Sequence, residues 1–192
     1  TEEETAELAS HMKVDVTTLR AKLEKLHEMN PMLGHRGCRL AITFPEIYET
    51  QVEAIALAAA DCIKKNIPVH PEIMIPIVCD NYEFNIIRNS CEKIIKNVFE
   101  REKVTFDIAI GTMIEVPRAA LLAGKIAENA DFFSFGTNDL TQMTFAFSRD
   151  DAERNFLVKY VEEGILPVNP FQTLDRDGVG RHRQQHVHTD HQ

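Results

Sequence analysis

The stretch Asp131-Phe132-Phe133-Ser134-Phe135-Gly136-Thr137-Asn138-Asp139-Leu140-Thr141-Gln142-Met143 narrows the choice of folds more than any other. Its opening residues are mostly aromatic or small, which suits a short buried strand. Gly136 offers a break, because glycine accepts backbone angles closed to other residues. Thr137, Asn138 and Asp139 are helix-capping side chains, and Leu140 onward reads as the helix. A strand handed directly to a helix is half of a β/α unit, and in parallel α/β folds chemistry is done at that strand end. A second such unit lies upstream, where Asp107–Glu115 is an apolar run ending in a carboxylate and Val116-Pro117 opens the next helix. Glu115 and Asp139 are therefore expected at equivalent ends of successive strands. Neighbouring strands lie about 4.8 Å apart, so both carboxylates can reach one hard cation.

The rest of the chain alternates in the same sense. A helical piece is expected over Thr5–Ser10, and a second, capped by Asp15, carries Leu19, Leu23 and Leu26 on one face until Asn30-Pro31 stops it. The run Leu40–Phe44 is ambiguous between a strand and a helical turn, and a short helix is preferred. Pro45 suits the first turn of a long helix to about Lys65, with Ile47, Val52, Ile55, Ala59 and Ile63 inward and Asn66 at its end. Glu72–Cys79 reads as a strand buried on both faces, although Pro76 cannot donate to a ladder. Asp80 or Asn81 then caps a helix to about Glu102, with Ile86, Ile87, Ile94, Ile95 and Val98 inward. Further helices are expected over Pro117–Asn129 and Asp151–Glu162. Long helices between short apolar strands mean β/α units and a parallel sheet. About four strand candidates permit a small doubly wound sheet on pattern alone.

Charge and composition exclude some partners. A formal net charge of −9 argues against nucleic acid, whose phosphates demand clustered Lys and Arg. No apolar run approaches the roughly 20 residues that span a bilayer, so no membrane partner is expected. Thr1-Glu2-Glu3-Glu4 carries neither the basic nor the apolar region of a signal peptide. Cys38, Cys62, Cys79 and Cys91 form no CxxC pair and read as reduced, buried thiols. The expected compartment is the cytoplasm, or an organelle where a targeting segment precedes the chain.

Two segments, Gly111-Thr112-Met113-Ile114-Glu115-Val116-Pro117-Arg118 and Phe132-Phe133-Ser134-Phe135-Gly136-Thr137-Asn138-Asp139-Leu140-Thr141-Gln142, resemble the signatures of the phosphoenolpyruvate-utilising enzymes. Asn30–Leu40, Ser148-Arg149-Asp150-Asp151 and Asn169-Pro170-Phe171-Gln172 extend the likeness over Thr1 to about Gly180. The resemblance implies an incomplete (β/α)₈ TIM barrel holding central β/α units only, in a partial phosphoenolpyruvate/pyruvate-binding domain over residues 1–180. It implies Mg²⁺ on Glu115 and Asp139, chelated by pyruvate; Gly136, Thr137 and Asn138 along the substrate; and Arg149 and Arg36 on the phosphoryl group. The implied partners are pyruvate or phosphoenolpyruvate, a phosphohistidine domain and a second copy in a homodimer. The complete enzyme so implied interconverts ATP, phosphate and pyruvate with AMP, diphosphate and phosphoenolpyruvate. Its phosphorylated histidine, its enolate-protonating cysteine loop and two further arginines have no counterpart here, so the isolated chain is expected to be inactive.

Each assignment has a plainer competitor. Acidic residues also cap helix N-termini, whereas Mg²⁺ needs only one or two carboxylates plus water and substrate oxygens. Arg149 could simply answer Asp150 and Asp151, and Arg36 could anchor its loop. Arg118 reads as a helix-surface residue and His35 as structural. Residues 181–192 contain one apolar residue and four histidines, His182, His186, His188 and His191; they are expected to form a divergent, disordered tail that binds a transition metal only adventitiously. Two other readings of the whole chain stay open: a metal-dependent carbon–carbon lyase on a similar barrel, and a non-catalytic chain that only dimerises.

Overall fold

The computed structural model describes residues 1–26 and 31–184, which fall into two compact units, Thr1–His35 and Arg36 onward. The first unit pairs α1 (Glu2–Met12) with α2 (Val16–Leu26), followed by a 3₁₀ turn at Pro31–Leu33. A capping box starts α1 three residues earlier than expected: Thr1 Oγ1 accepts the Glu4 N–H at 3.3 Å while Glu4 Oε2 reaches back to the Thr1 amino group at 2.6 Å. Asp15 caps α2 as expected, its Oδ2 accepting the N–H groups of Thr17 and Thr18 at 3.0 and 3.3 Å. Leu19 is buried but Leu23 is exposed, so the expected stripe is used only in part. The Leu26 side chain and Asn30 lie outside the described residues.

The second unit is built on three parallel strands, β1 (Glu72–Ile75), β2 (Ala109–Ile114) and β3 (Phe133–Phe135), in that order across the sheet. Glu72 pairs with Ala109 and Thr112 with Phe133, and Thr112 Oγ1 donates to the Ile75 carbonyl at 2.7 Å. The β1 ladder stops at the residue before Pro76, as a residue without an N–H requires. Its faces alternate in burial, with Met74 exposed, so β1 is not covered on both sides as its apolar run suggested. The run Leu40–Phe44 is helical: α3 spans Cys38–Thr43.

Two long helices cover the sheet. In α4 (Pro45–Lys64) the buried positions are Val52, Ala56, Ala59 and Ala60, and in α5 (Asn81–Glu102) they are Phe84, Ile87, Cys91, Ile95 and Val98. Val52 and Ala56 of α4 and all five of the α5 residues share one core with Ile73, Ile75, Ile110 and Ile114 of the strands, each fully buried Val, Ile or Phe contributing roughly 1.5–3 kcal/mol. Ile47, Ile55 and Ile86, expected inward, are exposed; beside Ile55 it is Ala56, and beside Ile86 it is Ile87, that is buried instead. Asp80 caps α5 in a capping box with Glu83. Asn66 ends the α4 segment with a left-handed φ of 57°, a conformation asparagine tolerates.

The helices beyond β2 are shorter than expected. Pro117–Asn129 divides into α6 (Pro117–Leu121) and α7 (Ala123–Ala127). After β3 come α8 (Thr137–Phe145), α9 (Arg149–Asn155) and α10 (Leu157–Glu162), the last two separated at Phe156. A final helix, α11 (Val179–Gln184), carries regular structure past Gly180, where the tail was expected to begin; His186, His188 and His191 lie outside the described residues. Among the described residues no helix is long and apolar enough to cross a membrane. The architecture is mixed α/β with a small parallel sheet.

Candidate cation and phosphate site

The carboxyl ends of β2 and β3 lie side by side because the strands are parallel neighbours in register, Ile114 opposite Phe135. Glu115 is the residue after β2, and Gly136 the residue after β3. Asp139 sits three residues further on, in the first turn of α8. The two carboxylates therefore come from adjacent strand ends, one directly and the other by way of a helix start. Gly136, with no side-chain cap bond, is the N-cap of α8, so Thr137, Asn138 and Asp139 are its first helical residues and not its caps. The φ of Gly136, −81°, is open to any residue. What demands glycine is space: a Cβ there would lie 2.6 Å from Glu115 Oε2 and 2.7 Å from Met113 Sδ.

Glu115 is only 5% exposed. Its Oε1 accepts the Ile77 N–H at 2.7 Å. Burial pushes its carboxyl above the ordinary value and the charge of Asp139 adds to that, while the Ile77 N–H and Arg36 oppose it. Asp139 Oδ2 makes an ion pair with Arg36 Nη1 at 3.5 Å. Arg36 thus reaches the strand ends and is not confined to its own loop. Among the described residues there is no group of three or more His, Cys, Asp and Glu placed to hold a metal ion. A hard cation with few protein ligands is the one that suits a carboxylate pair.

Arg149 opens α9, and its N–H donates to Gln142 Oε1 at 2.9 Å. The guanidinium reaches Asn138 Oδ1 at 3.5 Å, pairs with Glu153 at 3.5 Å and stands 5.4 Å from the centre of the Phe171 ring. Its ion pair is with Glu153, one helical turn on, and not with Asp150 or Asp151. Thr137, Asn138, Thr141, Arg149 and Phe171 line a cavity of about 200 Å³. All seven candidate residues, Arg36, Glu115, Gly136, Thr137, Asn138, Asp139 and Arg149, therefore belong to two adjoining groups that share the first turn of α8.

Arg118 does more than face solvent, since its Nη1 donates to the Cys79 carbonyl and to Asp80 Oδ2, both at 2.6 Å. Ile77 and Phe171 were not anticipated. Pro76, inside an apolar run, was the available signal for the first; the Asn-Pro-Phe-Gln turn was the signal for the second. Cys38 and Cys91 are buried and Cys62 and Cys79 partly so, all four as free thiols.

Residues 7–189 match the family described as PEP-utilising enzyme, PEP-binding domain, and the chain belongs to that family. Among curated proteins it is similar to pyruvate, phosphate dikinase of Clostridium symbiosum, 50% identical over 182 residues that make up 94% of this chain and 21% of that protein. The pyruvate, phosphate dikinase of Rhizobium meliloti is 52% identical over 94% of this chain and 20% of its own length. The chloroplastic enzyme of Flaveria pringlei is 49% identical over 91% and 18%. The chain thus spans about a fifth of the length of these relatives.

Proposed function

We propose that this chain carries the Mg²⁺-and-substrate half of a pyruvate–phosphoenolpyruvate phosphotransfer site, within part of a (β/α)₈ barrel whose complete enzyme acts as a pyruvate, phosphate dikinase. The observation that carries the reading is the convergence of buried Glu115 with Asp139 at neighbouring strand ends. Two nearby carboxylates, one of them desolvated, are costly unless a cation joins them. Glu115 and Asp139 would hold Mg²⁺. When bound, the ion supplies fixed positive charge for a developing enolate oxygen, a contribution of several kcal/mol. Gly136 leaves room for the Glu115 carboxylate at the strand end and presents its backbone to the substrate, to which Thr137 and Asn138 offer hydrogen bonds. Arg149 grips a phosphoryl group by paired N–H bonds, with Arg36 contributing from the side of Asp139. The phosphoryl group is exchanged with a phosphohistidine domain, and a second copy and a cytoplasmic setting complete the proposal. The test is Mn²⁺ titration, followed by electron paramagnetic resonance, with and without oxalate as a pyruvate-enolate mimic. Glu115→Gln and Asp139→Asn should each weaken Mn²⁺ binding at least tenfold; parent-like affinity in both excludes the site.

A further inference from the structure

The Glu115 carboxylate is not held by any side chain assigned above but by one backbone N–H, that of Ile77, and the conformation that delivers it is unusual. Ile77 has φ 60°, a left-handed value that is a genuine outlier for a β-branched residue. Its side chain is fully buried, so the conformation is imposed from inside the fold. The Gly37–Cys38 turn imposes it. Cys38 N–H donates to the Pro76 carbonyl at 3.1 Å, and Cys38 Sγ donates to the Ile77 carbonyl at 3.2 Å. Gly37, at φ 57°, approaches so closely that a Cβ would meet the Pro76 oxygen at 2.9 Å and Ile77 Cβ at 3.0 Å.

The Pro76 carbonyl and the Ile77 N–H belong to one planar trans peptide unit, so they point in opposite directions. Cys38 takes the oxygen on one side, and Glu115 Oε1 takes the hydrogen on the other at 2.7 Å. With Oε1 engaged, Oε2 is the oxygen against Gly136, at the end of β3 that leads to Asp139. Arg36, the residue before Gly37, pairs with Asp139 itself. One short turn therefore touches the supports of both carboxylates.

We propose that the Ile77 amide, locked in its left-handed conformation by the Gly37–Cys38 turn, is a positioning group that aims Glu115 at the cation. The proposal rests on the cation reading of Glu115 and Asp139. It is tested on the 192-residue chain by replacing the amide at position 77 with an ester, which removes the N–H and keeps the side chain. Mn²⁺ affinity, read by electron paramagnetic resonance with oxalate present, should fall about tenfold in a chain whose circular dichroism is unchanged. In the parent chain the Ile77 amide proton should lie downfield and move when Glu115→Gln is introduced. Cys38→Ala, which removes the thiol bond to the Ile77 carbonyl, should weaken Mn²⁺ about fivefold, and Cys38→Ser, whose hydroxyl can donate in place of the thiol, should restore it to within twofold. This pair decides the matter should the ester chain not fold. Glu115→Gln abolishing Mn²⁺ binding while the ester or folded Cys38→Ala binds like the parent overturns the positioning role alone. Parent-like Mn²⁺ binding in Glu115→Gln removes the cation reading and this proposal with it.

Discussion

At the scale of single residues, the two glycines of the site are required for different reasons. Gly37 has a left-handed φ and no room; Gly136 has an ordinary φ and no room. Alanine at 136 therefore costs nothing in backbone conformation and must push Glu115 or Met113 aside. Gly136→Ala is expected to lower stability by about 1–3 kcal/mol, the usual cost of overpacking, and to weaken Mn²⁺ binding through the displaced carboxylate. Urea denaturation and the Mn²⁺ titration check the two effects; an unchanged midpoint with unchanged affinity contradicts the steric account. The cysteines give a second prediction. Burial pushes the Cys38 thiol up to about 12 and that of Cys91 to about 11, so at pH 8 on the order of one Cys38 in ten thousand is thiolate, the reactive form. Iodoacetamide followed by mass spectrometry should leave both unmodified in the folded chain and modify all four on denaturation; rapid native labelling of Cys38 would show that the turn opens readily. Glu115, Asp139 and the Gly-Thr-Asn turn were legible in the sequence because each sits within a few residues of its own strand. The Ile77–Cys38 contact was not. It joins residues 39 apart, and sequence disfavours the very conformation Ile77 adopts.

Secondary elements were legible where local signals agree and illegible where distant packing intervenes. Pro45, Asp80 and Asp15 marked helix starts correctly, whereas the strand expected over Glu72–Cys79 stops at Ile75, before the proline that cannot continue its ladder. The break at Phe156 has no proline or glycine to announce it. There φ is −131°, and the ring packs against Tyr160, four residues on, at 5.0 Å and against Phe147 at 5.4 Å, the second a contact across a helix boundary that no local pattern encodes. At the opposite end of the sheet from the site, α5 is tied to β2 and β3 by Arg88. Its guanidinium donates to the carbonyls of Ile110 and Asn129 and pairs with Asp131 at 3.1 Å, while Asp131 Oδ2 accepts the Ile110 N–H at 2.7 Å. Arg88→Ala is expected to cost about 2 kcal/mol, the range for losing a charged hydrogen-bond partner. Burial raises the Asp131 carboxyl, but the Ile110 N–H and Arg88 together bring it below its ordinary 3.8. A depressed carboxyl stabilises the fold above that value, and its contribution is lost as pH falls through the still lower folded value. The stability gap between parent and Asp131→Asn should therefore be full at pH 7 and close progressively below about pH 4. A gap that widens on acidification would reverse the assigned sign.

For the whole molecule, the informative feature is how the sheet ends. Among the described residues β1 and β3 are each paired on one side only, and each presents an exposed apolar side chain, Met74 on β1 and Phe135 on β3. Strands at the two ends of a sheet are templates for association unless charge, proline or a covering element blunts them. Pro76 follows β1 directly and limits the length of edge available, but it does not mask the N–H and C=O groups of Glu72–Ile75. The net charge of −9 opposes self-association at low salt, and screening shortens its reach to roughly 8 Å at physiological ionic strength. Edge pairing should then outweigh repulsion once salt is present. The 192-residue chain is therefore expected to self-associate at tens of micromolar in 0.15 M salt and to do so less at 0.01 M, where the screening length grows to about 30 Å. Met74→Lys places a charge on the β1 edge without entering the core, and it should raise the monomer fraction at 0.15 M salt while leaving the thermal midpoint within a few degrees. Sedimentation velocity at the two salt concentrations, for the parent and for Met74→Lys, distinguishes the outcomes. A parent chain that sediments as a monomer in both conditions would mean that its open strands are already protected, and equal association in the lysine variant would move the contact away from β1.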